Sequence, residues 1–159
     1  MPRKYFIDSG FQTVSALQDL LEALVPADAT MELLSFSIFQ SSDESAAEAE
    51  KLQVTYKRAS GSYTSGSGGG TITPSKLEFG DPAAGITAER NNTTQALAGS
   101  GVLDTLCTDV YDVIQGYEWT PIPETRMIFS PSQALVIALE APTDALTLGF
   151  RAIVAEVGG

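Results

Sequence analysis

Alternation of apolar and polar residues predicts β-strands over much of this chain. In segment 30–40 the side chains of Leu34, Phe36 and Ile38 fall on one face, which is the spacing of a half-buried strand. Segment 103–114 alternates more loosely and also favours a strand.

The C-terminal part of the chain predicts further strands separated by turns. Segment 126–129 is a short apolar run, and segment 134–140 is apolar and partly β-branched, as is typical of a strand buried on both faces. Segment 146–157 places alternate residues on one face: Leu148, Phe150, Ala152, Val154 and Glu156. Strands separated by turns about every 8–12 residues predict a β-sandwich or barrel.

Segment 14–25 supports two interpretations. Leu17, Leu20, Leu21 and Leu24 recur at helical spacing among good helix formers, so local propensity favours a helix. In a chain that is otherwise β, tertiary packing can instead draw these residues into a strand.

Several segments read as loops. Segment 41–51 carries four acidic residues and three alanines. It is interpreted as a solvated loop or helix face with one or two helical turns; the alternative is a cation site, although the spacing matches no calcium-loop pattern. Segment 60–70 is almost entirely Ser and Gly, which predicts a flexible connection. Segment 71–94 has few large apolar residues and is expected to run over the surface. Residues 1–5 are predicted to form an N-terminal arm, and residues 1–159 a single domain.

Composition narrows the function. The chain has 159 residues, a formal net charge of −11, no His and one Cys. Catalytic groups that use His are therefore excluded, and so are internal disulfides and thiolate metal cages. The acidic balance argues against nucleic-acid binding, which needs clustered cations. No apolar run approaches the roughly 18 residues of a membrane helix, so we expect no membrane partner.

Carboxylates are the one catalytic possibility that composition leaves open. Asp and Glu cluster loosely between Asp104 and Glu124, but no spacing sets two of them across a cleft as a glycosidase requires. Cys107 lies among apolar neighbours without a His to activate it, so it is expected to be a small buried residue. We therefore predict no enzyme activity, no cofactor and no metal.

The aromatic, proline-bounded segment 116–123 also has two interpretations. Trp119 is either an anchor packed in the core or at its rim, or a stacking platform for a sugar or a partner. The N-terminus has two cations but no following apolar run, so it is not typical of a secretory signal. This favours synthesis in the cytosol.

Several phrases together resemble a group of small structural proteins encoded in the morphogenesis clusters of tailed bacteriophages and prophages. The similarity covers about residues 4–157. The phrases are QSSD at 40–43, AEAEKLQV at 47–54, Arg58 with the Ser/Gly segment, TP at 73–74, LE at 77–78, GD at 80–81, NNTT at 91–94 and IFSPSQALV at 128–136.

This resemblance implies an all-β, antiparallel β-sandwich of jelly-roll type with long surface loops, and it favours the strand interpretation of Asp19–Val25. It implies a virion structural protein made in the bacterial cytoplasm, in particular a capsid decoration or cement protein. Such a protein would sit on the capsid surface, bind the major capsid protein and form a homotrimer by symmetry matching. The alternative is a tail-associated carbohydrate- or receptor-binding β-sandwich. The candidate partner contacts are Arg3, Lys4, Tyr63, Tyr117 and Trp119.

Overall fold

A computed structural model describes residues 2–43, 45 and 48–158 of the chain. These residues form thirteen β-strands and one short 3-10 helix at Pro123–Thr125. The strands are β1 (Arg3–Asp8), β2 (Gln12–Val14), β3 (Gln18–Leu24), β4 (Ala29–Gln40), β5 (Lys51–Ser60), β6 (Gly70–Ile72), β7 (Ser75–Lys76), β8 (Thr87–Asn92), β9 (Val102–Asp112), β10 (Tyr117–Trp119), β11 (Met127–Phe129), β12 (Ala134–Leu139) and β13 (Leu146–Gly158).

The strands build two antiparallel sheets that pack face to face, so the predicted β-sandwich is confirmed. One sheet has the order β10-β4-β13-β1-β7, with β11 also on β4 and β2 on β13; the other has the order β6-β8-β3-β12-β5-β9. Four adjacent strands of each sheet, β1-β13-β4-β10 and β3-β12-β5-β9, connect in the double Greek-key order of a jelly roll.

The core lies between the sheets and is rich in aromatic residues. The rings of Phe36 and Tyr56 pack edge to face at 5.9 Å across the sandwich, and Phe150 lies 5.6 Å from Phe36 on the neighbouring strand. All three are fully buried. Packing of this kind holds the two sheets in one register.

The strand interpretation of segment 14–25 is confirmed for β3, which pairs with β12 on one side and β8 on the other. Six consecutive residues of β3 are buried, from Gln18 to Ala23. A helix would place only one side against the core. A central strand is covered on both faces, because loops also cover its outer face, and this coverage overrides local helical propensity.

The predicted face of β4 is wrong at Leu34. Met31 and Leu33 are fully buried, while Leu34 is only partly buried. Opposite them, Ile153 pairs with Ser35 and Val154 with Leu33, so Leu34 is skipped in the ladder. This β-bulge reverses the alternation along the strand, and strict alternation from Phe36 fails beyond it.

Residues 3–5, which were predicted as part of an N-terminal arm, instead belong to a strand. Met1 lies outside the described residues, and from Arg3 onwards the chain is strand β1, paired with β13 and with β7. Tyr5 is fully buried. The Tyr5 ring and the aliphatic side chain of Ile7 enter the core at alternate positions of β1 and anchor the segment.

The surface segments also form more strands and bridges than predicted. Gly70–Ile72 and Thr87–Asn92 are strands, so the excursion predicted for 71–94 is reduced to the connection 73–86. Within 60–70, Thr64 bridges to Leu97 and Ser67 to Thr94. None of the described residues of segment 41–51 belongs to a helix, and the Glu48 amide donates to the Ser45 carbonyl at 3.0 Å; Glu44, Ala46 and Ala47 lie outside the described residues.

No helix in the part of the chain that the structure describes is long and apolar enough to cross a membrane.

Candidate partner-binding surfaces

Tyr117 is an interior residue. It is 9% exposed, and its hydroxyl accepts a hydrogen bond from Tyr56 at 3.1 Å and donates one to Asp109 at 3.2 Å. Burial raises the pKa of Tyr117 to about 12. The predicted contact residue thus presents little surface to a partner and joins β10 to the opposite sheet.

Tyr63 holds the Ser/Gly loop in place. Its hydroxyl donates a hydrogen bond to the Glu22 Oε1 atom at 2.9 Å, and the Ser65 hydroxyl donates one to the same atom at 2.6 Å. The Gly66 amide donates to Glu22 Oε2 at 2.9 Å. Burial, followed by the charge of Glu22, raises the pKa of Tyr63. The loop predicted to be flexible is therefore fastened to a buried carboxylate on β3.

Arg3 is also engaged within the fold. Its guanidinium lies 3.0 Å from the buried Glu156 carboxylate, which accepts hydrogen bonds from the amides of Gly85 and Ile86 as well. Arg3 therefore helps to hold the end of connection 73–86. Its neighbour Lys4 is exposed.

Connection 73–86 presents an apolar tip beside Lys4. Phe79 is 100% exposed and Leu77 is 41% exposed. The tip is nevertheless held to β1: the Leu77 amide donates to the Lys4 carbonyl at 3.0 Å, and the Tyr5 hydroxyl donates to the Pro82 carbonyl at 3.2 Å. We call Leu77 and Phe79 the apolar tip.

Trp119 lies in a groove at the opposite edge of the same sheet, on strand β10. It is partly buried, packs against the core and lies 5.4 Å from Tyr56, ring to ring. The groove has a volume of about 530 Å³. Its lining is Arg58, Leu106, Cys107, Trp119, Thr125, Arg126, Met127 and Ile128. Trp119 is thus a rim residue with one side open to the groove.

Two arginines give this Trp119 groove its electrostatic character. Arg58 donates to the Ile128 carbonyl at 3.1 Å and lies over the Phe129 ring. Arg126 pairs with Glu32 at 3.2 Å. The Nε atoms of both arginines are buried without a hydrogen-bond partner. Two guanidinium groups in one lining favour an anionic ligand through their positive charge.

The predicted contact residues do not form one site. Trp119 and Tyr117 belong to β10, whereas Arg3 and Lys4 belong to β1, and strands β4 and β13 lie between. Three strand spacings separate these strands by about 14 Å. Tyr63 belongs to a loop on the outer face of the other sheet.

A cluster of carboxylates lies at one end of the sandwich, and the cation site considered for segment 41–51 includes only part of it. Single carboxylate oxygens of Asp43, Glu50 and Asp144 all lie within 4.8 Å of one another. Asp43 and Glu50 come from the acidic segment 41–51, but Asp144 comes from the turn before β13. Linear spacing carries no signal for that meeting. The sequence carries one indication of the apolar tip, which is a single Phe in a segment rich in Gly and Pro.

Comparison with protein-family models and with curated proteins found no match for this chain.

Proposed function

We propose that this chain is a non-catalytic structural protein of a bacteriophage virion, and that it decorates the capsid by binding the major capsid protein. The observation that carries this function is the apolar tip: a fully exposed Phe79 on a connection fastened to β1 and to Glu156. The resemblance in sequence supplies the virion, and the jelly roll is a fold that viral capsid and lectin domains share.

The apolar tip has the composition of an interface anchor. Burying a Phe side chain contributes about 1.5–3 kcal/mol, and aromatic anchors dominate many interfaces. Around it lie Lys4, Lys76, Glu78 and Asp81, all charged. An apolar centre within a polar rim is the usual arrangement of a protein interface.

The fastened loops suit binding to a preformed shell. A surface that is already ordered loses less conformational entropy on binding, so more of the contact energy appears as affinity. Repetition of a modest contact raises avidity further. A homotrimer on a three-fold position of the capsid would supply that repetition, and the trimer remains a prediction.

Copy number in purified particles tests the function. Quantitative mass spectrometry of virions should find hundreds of copies in a simple ratio to the major capsid protein. A few copies per particle would place the protein at the portal or tail and refute decoration. Absence from particles would refute the virion function altogether.

The role of the apolar tip is tested by rebinding to particles that lack the protein. We expect Phe79→Ser to weaken binding at least tenfold, which corresponds to about 1.4 kcal/mol. Leu97→Ser is the matched control, because Leu97 is a 61% exposed apolar residue on a different loop. Equal binding by the two variants would exclude the apolar tip as the contact.

The Trp119 groove favours a second candidate function, the binding of an anionic saccharide. Trp119 supplies an aromatic face, and Arg58 and Arg126 supply two positive charges in the same lining. Because the chain has one Trp, its fluorescence reports this groove alone. An acidic polysaccharide that shifts the emission, where a neutral one does not, would support this function. An unchanged emission with both would exclude it.

A further inference from the structure

The cluster of Asp43, Glu50 and Asp144 lies where two connections meet. Asp43 follows β4 and Glu50 precedes β5, while Asp144 lies between β12 and β13. Burial is graded across the cluster: Asp43 is 8% exposed, Glu50 is partly buried and Asp144 is exposed. The cluster is thus closed on one side and open to solvent on the other.

Two oxygen atoms of the cluster are buried without any hydrogen-bond donor. Asp43 Oδ1 accepts from the Ser42 hydroxyl at 3.0 Å, but Oδ2 has no partner. Glu50 Oε2 accepts from the Thr143 amide at 2.9 Å, but Oε1 has none. Neither ion pair found in the described part of the chain involves this cluster. Buried carboxylate oxygens without a donor or a cation are strongly unfavourable.

Asp43 is held where it is by its neighbours. The Gln40 side chain accepts hydrogen bonds from the Ser42 and Asp43 amides, each at 2.8 Å, and donates to the Asp43 carbonyl at 2.7 Å. Ser42 in turn accepts from the Thr147 amide at 3.0 Å. These bonds fix the Asp43 backbone and the Ser42 hydroxyl, and the bond from that hydroxyl to Oδ1 holds the carboxylate in place.

We propose that Asp43, Glu50 and Asp144 bind a calcium ion. Ca²⁺ takes oxygen ligands at about 2.3–2.6 Å, so two of its ligands lie at most about 5 Å apart, and the cluster fits that limit. Mg²⁺ prefers shorter distances and keeps more of its water. Zinc prefers nitrogen and sulfur ligands, which the cluster does not offer. Water completes the coordination on the open side, beside Asp144.

A calcium ion here would clip the two sheets together. Strands β4 and β13 belong to one sheet, and β5 and β12 to the other. The ion would bridge the β4–β5 connection to the β12–β13 connection and relieve repulsion among three negative charges. It therefore binds the folded state selectively and raises its stability by mass action. This site is independent of the proposed virion function.

Calorimetric titration of the chelator-treated protein with CaCl2 tests the site. We expect one ion to bind with a dissociation constant of about 10⁻⁴–10⁻³ M, the range of weaker calcium modules, and the thermal unfolding midpoint to rise with Ca²⁺. Mg²⁺ at the same concentration should bind at least tenfold more weakly. Asp43→Asn should reduce Ca²⁺ affinity at least tenfold. Asp104→Asn, the same change at an exposed position on β9, should leave it unaltered.

Three results would overturn the calcium site. They are no heat of binding and no shift in midpoint at 10 mM or so of Ca²⁺, well above the expected range; equal effects of Mg²⁺ and Ca²⁺; or equal affinity in the Asp43 and Asp104 variants. If Asp43→Asn does not fold, Glu50→Gln and Asp144→Asn replace it, with the same expected loss of affinity. The titration of the unmodified protein decides the question without any variant.

Discussion

Replacement of Glu22 by Gln tests whether a buried carboxylate fixes the Ser/Gly loop. Glu22 is 4% exposed, although it is charged. Oε1 accepts hydrogen bonds from Tyr63 and Ser65, and Oε2 accepts from the Gly66 amide at 2.9 Å and from Asn92 at 3.3 Å. All four partners are donors, so the site is built for an acceptor with two oxygens.

The cost of the change follows from these four bonds. Gln keeps one oxygen, so whichever way the amide turns, two donors lose their acceptor and face an NH2 group. Each hydrogen bond to a charged group contributes about 1.5–3 kcal/mol. A neutral amide is cheaper to bury than a carboxylate, which offsets part of the loss. We expect Glu22→Gln to lower the free energy of unfolding by about 2–4 kcal/mol.

Urea unfolding measures this loss, and limited proteolysis locates it. The variant should be cut within loop 61–69 under conditions that leave the unmodified protein intact. Glu78→Gln is the matched control, because Glu78 is exposed and its side chain makes no hydrogen bond in the described structure. A change below about 0.5 kcal/mol, the scale of ordinary surface substitutions, would refute the anchoring role of Glu22. So would a loop as resistant to protease as before.

Three further predictions concern a buried carboxylate, a close backbone contact and the tyrosines. Burial raises the pKa of Asp19, although the Ala96 amide and Gln95 oppose this by donating to it. The stability from its protonated form is therefore complete below about pH 3.9 and is lost as pH rises through the higher folded pKa. As pH rises through this range, the urea midpoint of Asp19→Asn should increase relative to that of the unmodified protein. The opposite slope would refute the burial argument. Gly69→Ala should destabilise the protein by about 1–3 kcal/mol in thermal unfolding, because a Cβ atom there would overlap the Arg90 carbonyl. Gly80→Ala, with nothing within 4 Å, should be nearly neutral, and equal effects would contradict the steric reasoning. The pKa values of all five tyrosines are raised, so tyrosinate absorbance should appear only well above pH 10 or so and together with unfolding. A reversible tyrosine titration near pH 10 in the folded protein would contradict their burial.

The strands were predictable where one hydrophobic period persisted. Segment 146–157 places an apolar residue at every second position from Leu146 to Val154, and its predicted inner face from Leu148 to Val154 is confirmed by full or nearly full burial. Segment 134–140 was equally clear, since a run of apolar residues bounded by turns suits a central strand. The two-sheet fold follows from such elements and the turns between them.

The local sequence pattern was a poor guide where a β-bulge or the neighbouring strands decided which residues face the core. The bulge at Leu34 depends on pairing with Ile153 and Val154, far along the chain, and no local pattern reports it. Residues 14–25 have a helical period, yet β12 and β8 flank them as strands. In both cases the deciding contacts are long-range, so the local sequence underdetermines the structure.

The loops were misjudged because no acidic residue was recognised as an acceptor for the backbone amides of a loop. Asp19, Glu22 and Glu156 are buried, and each accepts a hydrogen bond from the backbone of a surface loop, at Ala96, Gly66 and Gly85 respectively. Loop amides lack the ladder partners that strands provide and need another acceptor when they are buried. A carboxylate offers two oxygens and about four acceptor positions, which is enough to hold a whole turn. The same arrangement makes a loop rich in Ser and Gly a fixed surface. At Glu156 the same arrangement holds connection 73–86, so that Phe79 is presented from a rigid base, which is the property that the proposed binding to a preformed partner requires.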